Sequence, residues 1–176
     1  MKFTQTNISG LYLVDLDLKA DERGYFARIF CEKEFSQIGV DFKVVQASQS
    51  LTKQRGTLRG MHFQKEPQAE DKIVRCIRGA VYDVAIDLRK NSPTFGQGFS
   101  QGLSEADHKM IFIPKGFAHG FQALKNDSVV EYLMSEFYSA EQSFGVRWND
   151  PLFNITWPIV EPLLSEKDKN WPLMQK

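Results

Sequence analysis

Alternation of apolar and polar residues at period two runs through most of the chain and predicts short strands. In "AVYDVAIDL" (80–88), Tyr82, Val84, Ile86 and Leu88 share one face and Val81, Asp83, Ala85 and Asp87 the other, which predicts a strand packed on one side. Comparable runs are "GLYLVDLDL" (10–18), "GYFARIFC" (24–31), "DFKVVQAS" (41–48), "TLRGMHFQ" (57–64), "KIVRCIR" (72–78), "KMIFIP" (109–114), "HGFQAL" (119–124) and "VVEYLMSEFY" (129–138). Turn chemistry such as "KNSPTFG" (90–96) and "KNDS" (125–128) separates them. Many evenly spaced strands predict an all-β sandwich or jelly roll. Helix is sparse: "EKEFSQIG" (32–39) predicts two turns ending at Gly39, and "SEKDKNW" (165–171) a short helix capped by Ser165. "GQGFSQG" (96–102) predicts a turn between strands, because Gln101 occupies the third glycine position of a phosphate loop.

With 176 residues the chain has material for one core, and no linker or repeat divides it, so a single domain over 1–176 is expected. Lys plus Arg and Asp plus Glu number 22 each, which argues against a nucleic-acid or anionic-membrane partner and leaves room only for a local anion site. Cys31 and Cys76 lack metal or redox spacing and read as core thiols of a reducing compartment, hence a cytoplasmic location. The N-terminus has no signal-peptide apolar block and no segment has the length to cross a bilayer, so a soluble, unexported chain is expected.

Candidate chemistry centres on histidine. His108 lies in the polar stretch "SEADHK" and reads as a turn residue. His62 and His119 each interrupt an apolar run beside glycine, in "RGMHF" and "GFAHGF". Neither HxH nor HxxxH occurs, so no metal is expected, and without GxSxG no serine nucleophile. Arg59 and His62 have opposite parity, so in a regular strand they would face different sides; Gly60 between them predicts a bulge.

"RGYF" (23–26), "LRGMHFQ" (58–64), "KIVRCIRGAVYDVAIDLRKNSPTFG" (72–96), "IPKGFAHGF" (113–121), "EYLMSEFY" (131–138), "RWNDP" (147–151) and "LLSEKD" (163–168) together resemble the dTDP-4-dehydrorhamnose 3,5-epimerases, the RmlC-type sugar-nucleotide epimerases. The resemblance covers nearly the whole chain. It implies a cupin-type jelly roll (double-stranded β-helix) with few short helices, acting as a homodimer on a nucleotide-diphosphate sugar with no metal or cofactor. It implies His62 as catalytic base, Asp168 as its carboxylate partner, Tyr132 as general acid and Lys72 as the cation near the keto oxygen. Arg23, Phe26, Gln46, Ser48, Arg59, His119 and Tyr138 are implied substrate contacts.

These residue types suit the chemistry. A hydrogen beside a carbonyl is acidic because the carbanion delocalises onto oxygen, so a base and an oxyanion stabiliser are both required. Epimerisation further needs a proton donor on the opposite face, the role implied for Tyr132. Each residue also has a plainer use: Asp168 three residues after Ser165 suits a helix cap, Tyr132 and Tyr138 an aromatic core face, and Lys72 an edge-strand charge. Two positions depart from the family pattern, Arg28 where Glu is usual and Ser48 where Asn is usual, which leaves GDP or CDP sugars open beside dTDP. Inversion of one carbon, and a non-catalytic sugar-binding cupin, are the remaining alternatives.

Overall fold

The computed structural model describes residues 1–174. In order the chain forms β1 (Lys2–Gln5), β2 (Tyr12–Asp15), β3 (Leu18–Asp21), β4 (Gly24–Ala27), α1 (Glu32–Gln37), β5 (Gln46–Thr52), β6 (Leu58–Gln64) and β7 (Lys72–Arg78). There follow β8 (Ala80–Asp87), β9 (Gly98–Ser104), β10 (Lys109–Ile113), β11 (Phe117–Ala123), β12 (Ser128–Met134), β13 (Ser143–Gly145) and α2 (Glu166–Lys169). A six-stranded sheet, β1-β2-β10-β7-β12-β5, faces a five-stranded one, β13-β6-β11-β8-β9, and every pairing within them is antiparallel. This is the cupin-type jelly roll that the strand pattern and the family resemblance imply.

Three cores hold the layers. Between the sheets, Val74, Ile111 and Val130 of one meet Val81, Ala85, Leu103, Phe117 and Phe121 of the other. On the outer face of the six-stranded sheet, Phe35 of α1 and Phe42 pack on Val14, Ile73, Met110 and Phe112. Complete burial of a side chain like Phe35 is worth about 1.5–3 kcal/mol, which anchors a helix too short to persist alone. Gly39, at φ +78°, lets the chain reverse after α1 as expected. On the outer face of the five-stranded sheet, Val146, Phe153 and Trp157 of the C-terminal segment cover Leu58, Met61, Val84, Ile86 and Ala118.

The structure therefore corrects three expectations. β8 is packed on both faces, Val81 and Ala85 inward and Val84 and Ile86 beneath the C-terminal segment. "GQGFSQG" is a turn only at Gly96: Gly98–Ser104 is the edge strand β9, whose sparse apolar residues Phe99 and Leu103 suffice because one face alone is buried. The strand expected over 41–48 lies at 46–52, where the backbone pairs with β12, while Phe42 leaves the sheet to join the aromatic cluster around Phe35.

Among the described residues no helix is long and apolar enough to cross a membrane. The β3–β4 hairpin forms a two-stranded sheet of its own, with Tyr25 and Phe26 56% and 70% exposed.

Candidate active site

A cavity of about 800 Å³ opens between one end of the two sheets and is roofed by Leu163–Asp168. Period two on β5 turns Gln46, Ser48 and Ser50 into it, while Ala47, Gln49 and Leu51 face out. Lys72 on β7 and Tyr132 on β12 line the same wall; β7 is an inner strand flanked by β10 and β12, so Lys72 is not an edge charge. The opposite wall carries Arg59 and His62 on β6 and His119 on β11.

The parity conflict within β6 is resolved as predicted, since the β6–β11 register shifts between His119 and Phe121. Gly60 adopts φ +141°, and a Cβ there would come within 2.6 Å of Gly120 Cα, so glycine is required for the two strands to approach. Met61 consequently turns to the outer core while Arg59 and His62 share the cavity.

His62 Nε2 donates to Asp168 Oδ1 at 2.6 Å, and among the described residues Nδ1 has no hydrogen-bond partner. Both functions of Asp168 coexist: its backbone N–H donates to the Ser165 hydroxyl as a cap, and its side chain holds the imidazole. Trp171 Nε1 donates to the same Oδ1 at 3.2 Å. Burial raises the Asp168 pKa, but the hydrogen bond and charge of His62, with Ser165 and Trp171, outweigh it and hold the carboxyl below its ordinary value. Across the cavity, burial pushes the Tyr132 phenol well above the usual phenol range; the Ser50 hydroxyl and Arg59 oppose this and the Asp83 carboxylate adds to it.

Lys72 Nζ is paired with Glu70 Oε1 at 2.9 Å. Arg59 is oriented by Thr52 Oγ1 and the Leu51 carbonyl, both at 3.1 Å. Gln46 Oε1 accepts from the Tyr138 backbone N–H at 3.0 Å, fixing the loop that carries the exposed Tyr138 ring. Gln64 steadies the same loop through Phe137 and Ser139. His119 Nε2 donates to the buried Asp83 Oδ2 at 2.9 Å and meets Tyr132 edge-on. Among the described residues no cluster of three or more His, Cys, Asp or Glu is arranged to hold a metal ion.

The structure thus brings His62, Asp168, Tyr132, Lys72, Gln46, Ser48, Arg59, His119 and Tyr138 to one cavity. It does not bring Arg23 or Phe26 there: Arg23 is paired with Asp21 of its own hairpin, and Phe26 lies on the exposed hairpin surface. Glu70, Ser50 and Lys167 also line the cavity, and Asp83 and Trp171 support it, although motif reasoning did not single them out. The one signal for Asp83 was an acid set between Val81 and Ala85 on one face of a strand; nothing local marked the other four.

A model of the dTDP-4-dehydrorhamnose 3,5-epimerase family matches residues 5–176. The enzyme of that name from Methanothermobacter thermautotrophicus is 42% identical over 173 residues, covering 97% of this chain and 92% of its own length. The crystal structure of dTDP-4-dehydrorhamnose 3,5-epimerase from Bacillus anthracis with TDP and PPi bound superposes with a TM-score of 0.95 at 42% identity, covering 98% of this chain and 99% of that one. A 3'-monoepimerase from Streptomyces bikiniensis in complex with dTDP-quinovose gives a TM-score of 0.88 at 33% identity, covering 96% and 85%.

Proposed function

The chain belongs to the dTDP-4-dehydrorhamnose 3,5-epimerase family, and from that premise we propose how its own side chains carry the reaction. It is an isomerase that inverts C3 and C5 of a nucleotide-linked 4-keto-6-deoxyhexose, converting dTDP-4-dehydro-6-deoxyglucose to dTDP-4-dehydrorhamnose. His62 Nδ1 removes the proton beside the C4 carbonyl, and the electron pair moves onto the keto oxygen. Lys72, steered by Glu70, stabilises the resulting enolate, so the step is assigned no metal or cofactor. Tyr132, held protonated by its burial, returns a proton on the opposite face. Arg59 and Lys167 meet the diphosphate, and Gln46, Ser48, His119 and Tyr138 seat the sugar and base.

The observation that carries this reading is the 2.6 Å His62–Asp168 bond opening onto the cavity that Tyr132 and Lys72 also line. We read residues 1–176 as one cupin-like domain, supported by the family match over 5–176; Gln175 and Lys176 lie outside the described residues. Free Cys31 and Cys76 support a cytoplasmic setting.

We further propose a homodimer in which Arg23 and Phe26 serve the cavity of the second copy. Support comes from the solitary β3–β4 hairpin with its exposed aromatics, and from the outer edge of β5 beside the cavity, which pairs with no strand among the described residues. A second reading, a nucleotide other than dTDP, rests on Arg28, whose guanidinium is bound by Glu34 at 2.8 Å, and on the short Ser48 in the cavity wall.

The test is incubation with dTDP-, GDP- and CDP-4-keto-6-deoxyglucose in D₂O, followed by NMR. Deuterium at C3 and C5 with the dTDP sugar is expected. Label at one carbon would make the protein a monoepimerase, and label with none of the three would leave only a binding module. Mixing inactive Arg23→Ala and His62→Ala proteins should regain activity in heterodimers if the hairpin crosses between copies.

A further inference from the structure

The segment after α2 reaches the back of the candidate site. Gly145 on β13 is the register partner of His62 on β6. A Cβ on Gly145 would overlap the Trp171 ring, so this glycine is the gap through which the indole reaches the back of the site. There the ring lies edge-on to His62 at 6.2 Å and its Nε1–H reaches Asp168 Oδ1 at 3.2 Å, the oxygen that already accepts from His62. The backbone on either side is anchored independently of the indole: Arg147 Nε donates to the Trp171 carbonyl at 2.9 Å and Arg147 N to the Pro172 carbonyl at 3.0 Å.

We propose that Trp171 is a positioning residue for proton transfer, its indole N–H sharing Asp168 Oδ1 with the imidazole and so setting both the carboxylate's orientation and its pull on the His62 proton. The proposal rests on His62 being the base. Two donors on one carboxylate oxygen compete for the same charge; removing the neutral one leaves more of it for the imidazole and favours the imidazolium. Among the described residues, the other charged and titratable groups that line the cavity with His62 are Arg59 on its own strand, the Lys72–Glu70 pair, His119, Tyr132, Tyr138 and Lys167. None of them donates to Asp168, so removing the indole N–H leaves their arrangement in place.

Trp171→Phe keeps a ring against Gly145 and removes the donor. The expected result is a kcat about tenfold lower, the size of one charge-assisted hydrogen bond, with KM little changed. The acid limb of the rate profile should move to higher pH. A profile superimposable on the parent's, whether or not kcat falls, would reduce Trp171 to packing and overturn the proposal. The unaltered protein supplies a second measurement that does not depend on the variant folding. Of its three tryptophans, Trp157 donates to the Trp148 carbonyl, and the Trp171 indole N–H cross-peak should shift as His62 titrates. A Trp171 peak that stays fixed while the His62 ring titrates would equally overturn it. Because that titration involves no turnover, its failure is distinct from failure of the base assignment, which would show as deuterium exchange retained in His62→Ala.

Discussion

Two histidine–aspartate pairs stand side by side in this cavity, and their similarity makes their differences informative. His62 and His119 are register partners on β6 and β11, and each donates Nε2 to an aspartate, at 2.6 and 2.9 Å. The His62 side chain is 41% exposed, however, and that of His119 only 6%. Asp168 arrives from a C-terminal segment 106 residues away, whereas Asp83 comes from the neighbouring strand β8, buried, with Oδ1 lacking a partner among the described residues. The chemical pairing is the same; access to substrate and the rigidity of the support are not. An imidazole with a free nitrogen facing an open cavity can exchange protons, while a buried pair is a polar piece of wall whose disruption leaves an unsatisfied group in a low-dielectric interior.

The sharpest way to break the comparison is to remove each imidazole in turn. His62→Ala should lower deuterium incorporation by about 10²–10⁴-fold, whereas His119→Ala should act mainly on KM; equal loss of kcat in both would erase the distinction. Next in size, Asp168→Asn should lower kcat by about 10²-fold through misorientation of the His62 ring, with little change in substrate affinity by titration calorimetry. Stability should sort the pairs the other way. Asp83→Ala is expected to cost about 3 kcal/mol in urea unfolding because it strands a buried imidazole, and Asp168→Ala about 1 kcal/mol or less, because its partner can turn to water.

A further effect on stability comes from acid. Asp87, on the same strand as Asp83 and equally buried, suffers the burial that raises a carboxyl pKa, yet Arg89, Ser92 and Thr94 outweigh it and bring it to about 2. A depressed folded-state pKa contributes stability that is present above the unfolded value and lost as pH falls through the folded one. Unfolding free energy should therefore drop by about 1–2 kcal/mol between about pH 4 and pH 2, and Thr94→Val should shrink that drop.

Much of the architecture was legible because strand periodicity is local. β6, β7, β8, β10 and β12 lie within a few residues of their predicted bounds, and Ser165 and Gly39 end or begin helices as their chemistry requires. The candidate site residues were legible for a different reason, since the short motifs that carry them resemble those of a known family. The weakly patterned strands β1, β9 and β13 were not legible; an edge strand exposed on one face needs little apolar material.

The order of residues was enough to specify an all-β chain and, through the resemblance of its motifs to a family, to nominate His62, Tyr132, Lys72 and Asp168 for one site, since each of these signals lies within a short stretch. Tertiary structure alone decided that β8 is covered on both faces, that Gly60 and Gly120 allow Arg59 and His62 to share a wall, and that Asp168 and Trp171 converge on one imidazole. It also decided that Arg23 and Phe26 stand apart from the cavity of their own chain. Such outcomes depend on contacts between residues tens of positions apart, whose free energy comes from burial and close approach, and neither is a quantity that a local pattern carries.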